Sequence, residues 1–187
     1  AKTLSVVRDA TALVETLDRL IEGDATDETR HALQAVRERL AGRIKEALPQ
    51  VDLLLLTGGA SVGELDLVPG VLRELGFLLE FDRVAMQPGK PVSFGHNGDK
   101  VCFGLSGNPV SSFVQFELLV RPYLERCSEM IPVHRRIRIR MGKGYERKRS
   151  DRTFFLPVYL TDRGSCYPVE YHGSGHLLAL AGTQGLA

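Results

Sequence analysis

The chain has 187 residues, 43% of them hydrophobic and 25% charged, and a net charge of +1. This is an ordinary globular composition, long enough to bury a substantial core, and no global charge excess calls for nucleic acid or an anionic membrane surface. No apolar run nears the roughly 20 residues of a membrane span, and the opening AKTLSVVRDA lacks the charged-then-apolar secretory pattern.

Taken in order, Leu4–Val7 reads as a strand end. Leu13, Val14, Leu17, Leu20 and Ile21 share one helical face, broken at Gly23-Asp24. Thr26 or Asp27 caps a second helix with the stripe Leu33, Val36, Leu40, Ile44 and Leu48, ended by Pro49. Val51–Leu56 is a buried strand that stops at Thr57-Gly58-Gly59, and a helix runs over Leu67–Leu75 to Gly76. Phe77–Met86 is extended, and Gln87-Pro88-Gly89-Lys90-Pro91 is a rigid turn-rich segment. Val92–Gly95 and Val101–Gly104 flank an Asn-Gly pair, the strongest short hairpin signal. A helical stripe follows: Phe113, Phe116, Leu119, Val120 and Leu124.

Composition shifts at Ile131-Pro132. Val133, Ile137, Ile139 and Met141 alternate with His134, Arg136, Arg138 and Arg140, predicting a half-buried strand of period two. Thr153–Leu160 and Ser165–Tyr171 read as further strands joined at Asp162-Arg163-Gly164, and Ser174–Ala181 as a short helix. The pattern predicts an α/β domain over 1–130 and a small β domain over 131–187. Cys102, Cys127 and Cys166 are odd in number and form no C-x-x-C pair. They read as reduced thiols of a cytoplasmic protein rather than a disulfide framework or zinc site.

Two loops of small residues each follow an apolar run: Thr57-Gly58-Gly59-Ala60-Ser61-Val62-Gly63, and Gly104–Ser112 with Gly107-Asn108-Pro109 at its centre. Ligands of open α/β sheets bind beyond the carboxyl ends of strands, and glycines there let a backbone approach closely. The two loops are therefore expected to build one site.

TGGASVGELD at Thr57–Asp66, VAMQPGKPVSFG at Val84–Gly95 and GLSGNPVSS at Gly104–Ser112 stand in this order. Together they resemble the molybdopterin molybdenumtransferase family, the MoeA and gephyrin E-domain enzymes. The resemblance covers Leu4 to the C-terminus, more weakly from Pro132 onward. It implies a three-layer α/β molybdopterin-binding domain with a mostly parallel sheet, followed by a small partial β domain. It also implies a homodimeric, Mg²⁺-dependent transferase that inserts molybdate into adenylylated molybdopterin and releases AMP.

Carried over by motif, the family's acidic residues fall on Asp9 and Asp66, the latter a Mg²⁺ ligand candidate; a plain helix cap has the same signature. The first and last cations of the K-x-x-x-K-P-G-K pattern fall on Arg83 and Lys90, which can face phosphate or molybdate oxyanions. Pro88 and Pro91 fix Lys90's backbone, and Pro88 and Gly89 join the binding candidates; Pro109 is the second proline of L-P-G-N-P, and Ser174 the late serine. The phosphates suit Thr57, Gly58, Gly59, Ser61, Gly63, Gly107, Asn108 and Ser111, with backbone N–H groups at helix N-termini favouring anions.

Gln87 stands where the family commonly has lysine, and Ser106 replaces the first proline of L-P-G-N-P. The segment Ala10–Gln50 is longer than the family's connection. The T-G-D-E strand and the domains preceding it in the family are not in this sequence, so a piece of a longer protein is expected, inactive by itself. Gln87 also supports a second reading, a non-catalytic molybdopterin-binding or protein-interaction module. The basic run His134–Arg152 could meet nucleic acid, but without interleaved aromatics it reads as the solvated face of a strand. His172 and His176 have no carboxylate or cysteine partners in sequence and do not make a metal site.

Overall fold

A computed structural model describes residues 4–7, 27–58, 67–130, 136–146, 151–162, 164–169 and 177–187. The chain divides into two compact units, Ala1–Val84 with Pro91–Gly107, and Ala85–Lys90 with Asn108–Ala187. The expected boundary near residue 131 lies inside the second unit.

The first unit is built on a five-stranded sheet. Its strands are β1 (Leu4–Val7), β2 (Leu53–Thr57), β3 (Leu78–Arg83), β5 (Pro91–Asn97) and β6 (Lys100–Leu105), in the order β1-β2-β6-β5-β3. β1, β2 and β6 run parallel, with Leu54 opposite Cys102 and Thr57 opposite Leu105. β5 and β3 add an antiparallel side. The β5–β6 hairpin closes with Asn97 opposite Lys100, so Gly98-Asp99 is the two-residue turn. Gly98 has φ +56°, the positive value that the first position of a II′ turn requires.

Helix α1 (Asp27–Ala47) follows the predicted stripe: Val36, Leu40 and Ile44 are buried, and Leu33 and Leu48 pack beside them. Pro49 turns its end into a 3₁₀ turn, Leu48–Gln50. Helix α2 (Leu67–Glu74) buries Leu67, Val68, Val71 and Leu72 in the same cluster, with Leu54, Leu56 and Cys102 from the sheet. Each such side chain contributes about 1.5–3 kcal/mol by leaving water, so packing rather than helix propensity holds these helices. Leu53, Leu55, Phe103 and Leu105 are buried on the opposite face, so both faces of the sheet are covered. Gly104 sets the approach of α2: a Cβ there would lie 2.8 Å from Val68 Cγ1 and 2.3 Å from Ser93 Oγ. Gly76 (φ +80°) ends α2 in a Schellman motif, with Phe77 N–H donating to Leu72 O and Gly76 N–H to Arg73 O. Phe81, Phe94 and Phe103 stack across β3, β5 and β6, centroids 5.6 and 4.6 Å apart.

In the second unit, β4 (Met86–Gln87) pairs in parallel with β8 (Thr153–Phe154). Helix α3 (Pro109–Gln115) passes through one π turn, Phe116–Val120, into α4 (Arg121–Cys127). Pro122 gives the physical reason: its ring would meet the carbonyl four residues back in a regular helix. The wider turn lets Arg121 N–H donate to Phe116 O instead. β7 (Arg140–Met141), β9 (Pro157–Leu160), β10 (Ser165–Pro168) and β11 (Gly185–Leu186) form a sheet ordered β11-β9-β10-β7. Leu156, Val158 and Cys166 centre its small core, and Ile139, Met141 and Phe154 pack on it.

Three sequence expectations differ here. Among the described residues the period-two strand is limited to Arg140–Met141, Val133 and His134 lying outside them, and Ile137 is 64% exposed. Alternation specifies a strand only where a neighbour takes up its hydrogen bonds, and β10 pairs with Arg140 and Met141 alone. The expected strand Thr153–Leu160 is two strands, interrupted where Leu156 N–H donates to Ala187 O. The expected helix at Ser174–Ala181 is, among the described residues, a 3₁₀ turn over Leu177–Gly182.

Candidate functional site

Asp9, Gly59, Ser61, Gly63, Asp66 and Ser174 lie outside the described residues. The other candidates fall into two sets, one in each unit.

In the first unit, Thr57 ends β2 and pairs with Leu105. Gly58 is buried, has φ +88°, and donates its N–H to Leu105 O at 3.1 Å. The glycine is needed for its backbone conformation, and its donor extends the sheet ladder rather than facing a ligand. Gly107 is exposed. Arg83 ends β3, its side chain 70% exposed, and its Nε donates to Asp82 Oδ1 at 3.0 Å. That hydrogen bond, assisted by Arg73, holds the Asp82 carboxyl below the usual carboxylate range.

In the second unit, Asn108 is the N-cap of α3. Its Oδ1 accepts from Val110 N–H at 3.1 Å and Ser111 N–H at 3.2 Å. Pro109, at the start of the helix, has no N–H to leave unpaired, and Ser112 N–H donates to Asn108 O at 2.9 Å. Ser112 Oγ donates to Pro109 O. The loop therefore satisfies its own first-turn donors through the Asn108 side chain. This differs from the backbone phosphate cradle expected from sequence: an N-cap residue competes for the same N–H groups. Ser111 is 8% exposed.

The Pro88-Gly89-Lys90 turn belongs to this unit. Thr153 N–H donates to Ala85 O and Phe155 N–H to Gln87 O, which anchors one side of it. On the other side, Gln115 Nε2 donates to Gly89 O at 2.9 Å. Gly89 has φ +102°. Lys90 is half-buried, and among the described residues it has no hydrogen-bond or ion-pair partner. Helix α3 thus carries the G-N-P loop at its start and holds the P-G-K turn at its end. Gln115 was not singled out from sequence; the available signal was a polar residue two turns after an N-cap, on the face that Asn108 and Ser111 share.

Among the described residues no group of three or more His, Cys, Asp or Glu gathers to hold a metal. The second-unit set of Lys90, Asn108 and Ser111 offers no carboxylate, so the described residues do not fit a Mg²⁺ site. Cys102 is fully buried and burial pushes its thiol pKa up, leaving it unreactive. No helix among the described residues is long and apolar enough to cross a membrane.

Comparison with known proteins identifies the family. A family model described as "Probable molybdopterin binding domain" matches residues 15–126. The chain is 45% identical over 82 residues to the molybdopterin molybdenumtransferase of Bacillus subtilis, covering 44% of this chain and 19% of that protein. It is 26% identical over a 199-residue alignment to the molybdopterin molybdenumtransferase of Staphylococcus aureus, covering 96% of this chain and 48% of that protein. The crystal structure of a molybdopterin biosynthesis MoeA protein from Pyrococcus horikoshii is similar with a TM-score of 0.60 at 29% identity, covering 80% of this chain and 36% of that one. The chain therefore spans less than half the length of these relatives.

Proposed function

From the premise that the chain belongs to the probable molybdopterin binding domain family, we propose that it serves molybdenum-cofactor biosynthesis as the molybdopterin-binding part of a molybdenumtransferase. The substrates are adenylylated molybdopterin and molybdate, and the reaction inserts molybdate and releases AMP. The observation that supports this most is the joining of two family-like motifs through one helix: Asn108 caps the start of α3, and Gln115 at its end holds the Gly89 carbonyl next to Lys90.

Lys90 is the cation we assign to the phosphate or molybdate oxyanions. A positioned charge is the main contribution a protein makes to such transfers. Asn108, Pro109 and Ser111 shape the adjoining wall, and Pro88 and Gly89 fix the lysine. Thr57 and Gly58 terminate β2 so that the chain turns at the carboxyl edge of the sheet, where α/β ligands bind. Gly59, Ser61, Gly63, Gly107, Asp9 and Ser174 join this assignment on the family resemblance alone. The Mg²⁺ requirement rests on Asp66 in the same way, and no step is routed through the ion. Arg83 is the weakest member, since its guanidinium is already engaged by Asp82. The working form we propose is a cytoplasmic homodimer; the free cysteines suit a reducing compartment.

The test is AMP release. The full-length protein that carries this chain is given adenylylated molybdopterin and molybdate with Mg²⁺, and AMP is followed by chromatography, with light scattering to read the dimer. AMP formed in proportion to molybdate supports the transferase. Gln87, neutral where the family commonly has lysine, favours one second reading, a non-catalytic pterin-binding module. Tight binding without AMP release would select that reading, and no binding would overturn both.

A further inference from the structure

Gln115 is 0% exposed, in a helix whose other buried positions are Val110, Ser111 and Val114. A buried amide is costly unless it is hydrogen-bonded. Its Nε2 donates to Gly89 O at 2.9 Å. The contact is close as well as polar: a Cβ at Gly89 would lie 3.0 Å from Gln115 Cγ and 3.3 Å from Met86 Cε. Gly89 is thus held in a left-handed conformation by the side chain that also binds its carbonyl. On α3, Asn108, Ser111 and Gln115 fall at i, i+3 and i+7, one stripe of the helix. The rise along that stripe places Gln115 roughly 6 Å, about one helical turn, beyond Ser111.

We propose that Gln115 is a positioning residue: by holding Gly89 it sets where the Lys90 ammonium stands relative to the Asn108-capped start of α3. This rests on the reading of Lys90 as the cation for the substrate's oxyanions. Gln115 touches no reacting atom and acts through the Gly89 carbonyl. An apolar side chain of the same length would fill the space and leave that carbonyl unpaired, releasing the turn.

The test uses the full chain with Gln115→Met and Gln115→Glu. Amide hydrogen exchange is measured over Met86–Pro91 and, separately, over Arg121–Cys127 and Pro157–Leu160. Affinity for adenylylated molybdopterin is measured in parallel. With Gln115→Met, exchange should rise over Met86–Pro91 alone, and affinity should fall about tenfold. With Gln115→Glu, the buried carboxyl donates to Gly89 O only when protonated. Affinity should therefore recover toward that of the wild type at about pH 5.5 and be lost at about pH 8.5, each compared with wild type at the same pH. Wild-type affinity in Gln115→Met overturns the proposal. A rise in exchange spread over α4 and β9 also overturns it, because it shows a general structural role. If the wild type binds no pterin but exchange rises at Met86–Pro91 alone, the clamp stands and the substrate assignment fails.

Discussion

Arg83 and Lys90 open and close one stretch, R-V-A-M-Q-P-G-K, and both stand as candidate site cations by sequence. Their surroundings separate them. Arg83 ends an edge strand, mostly in water, its charge turned to Asp82. Lys90 follows a turn tied on one side to β8 and on the other to Gln115, and among the described residues no acid neutralises it. A cation already paired and solvated gains little from meeting an anionic ligand, whereas a pre-placed, half-buried one has lost less entropy to do so. The comparison shows that charge in a motif becomes chemistry only where the backbone beneath it is fixed.

The sharpest way to break the contrast is to delete each charge. Lys90→Ala should lower AMP release about a hundredfold, while Arg83→Ala should stay within about threefold, both read as kcat/KM. Equal losses would erase the distinction. Next in size, Gly89→Ala adds a Cβ at φ +102° against Gln115 and should destabilise the protein by about 2 kcal/mol, read as a lower denaturant midpoint. It should also cost Lys90 its advantage, so that Gly89→Ala and the Gly89→Ala/Lys90→Ala double variant release AMP at similar rates. Asn108→Ala removes the cap of α3 and should cost about 1 kcal/mol in the same measurement.

The smallest effect belongs to the Arg83 side. The Asp82 carboxyl is lowered first by its hydrogen bond from Arg83, then by Arg73, with partial burial opposing. A lowered native pKa adds stability that is present above the unfolded value of about 3.9 and is lost as pH falls through the native one. Arg83→Ala should therefore raise the Asp82 pKa in an NMR titration and remove at most about 0.5 kcal/mol near neutral pH, since the pair is solvent-screened. An unmoved Asp82 pKa would show that the ion pair is absent in solution and would restore Arg83 as a candidate beside Lys90.

Much of this was legible from the residues. The stripe of α1, the capped end of α2 at Gly76 and the hairpin at Gly98 are local rules, and the structure follows them. Ile137 was misread because alternation records amphipathic character, while strand formation depends on a partner elsewhere in the chain. The Asn108 loop has the composition of a phosphate cradle, but a single side-chain oxygen takes its donors, and composition does not say which of two acceptors wins. Gln115 was hidden because its partner, Gly89, is distant in sequence, and a polar residue in a helical stripe looks like a surface position until the neighbour is known.

The π turn at Phe116–Val120 has a consequence for comparing relatives. It fits one more residue into a turn than an α-helix would, so everything after it is one position out of the α-helical count. The i→i−5 bond from Arg121 N–H to Phe116 O absorbs that extra residue, so a relative one residue shorter here, with a regular α-helix, would keep both Gln115 and the faces of Tyr123 and Leu124 in place. A single-position alignment gap here is therefore phase-preserving, whereas an alignment carried through without it would set every later residue about 100° out of phase.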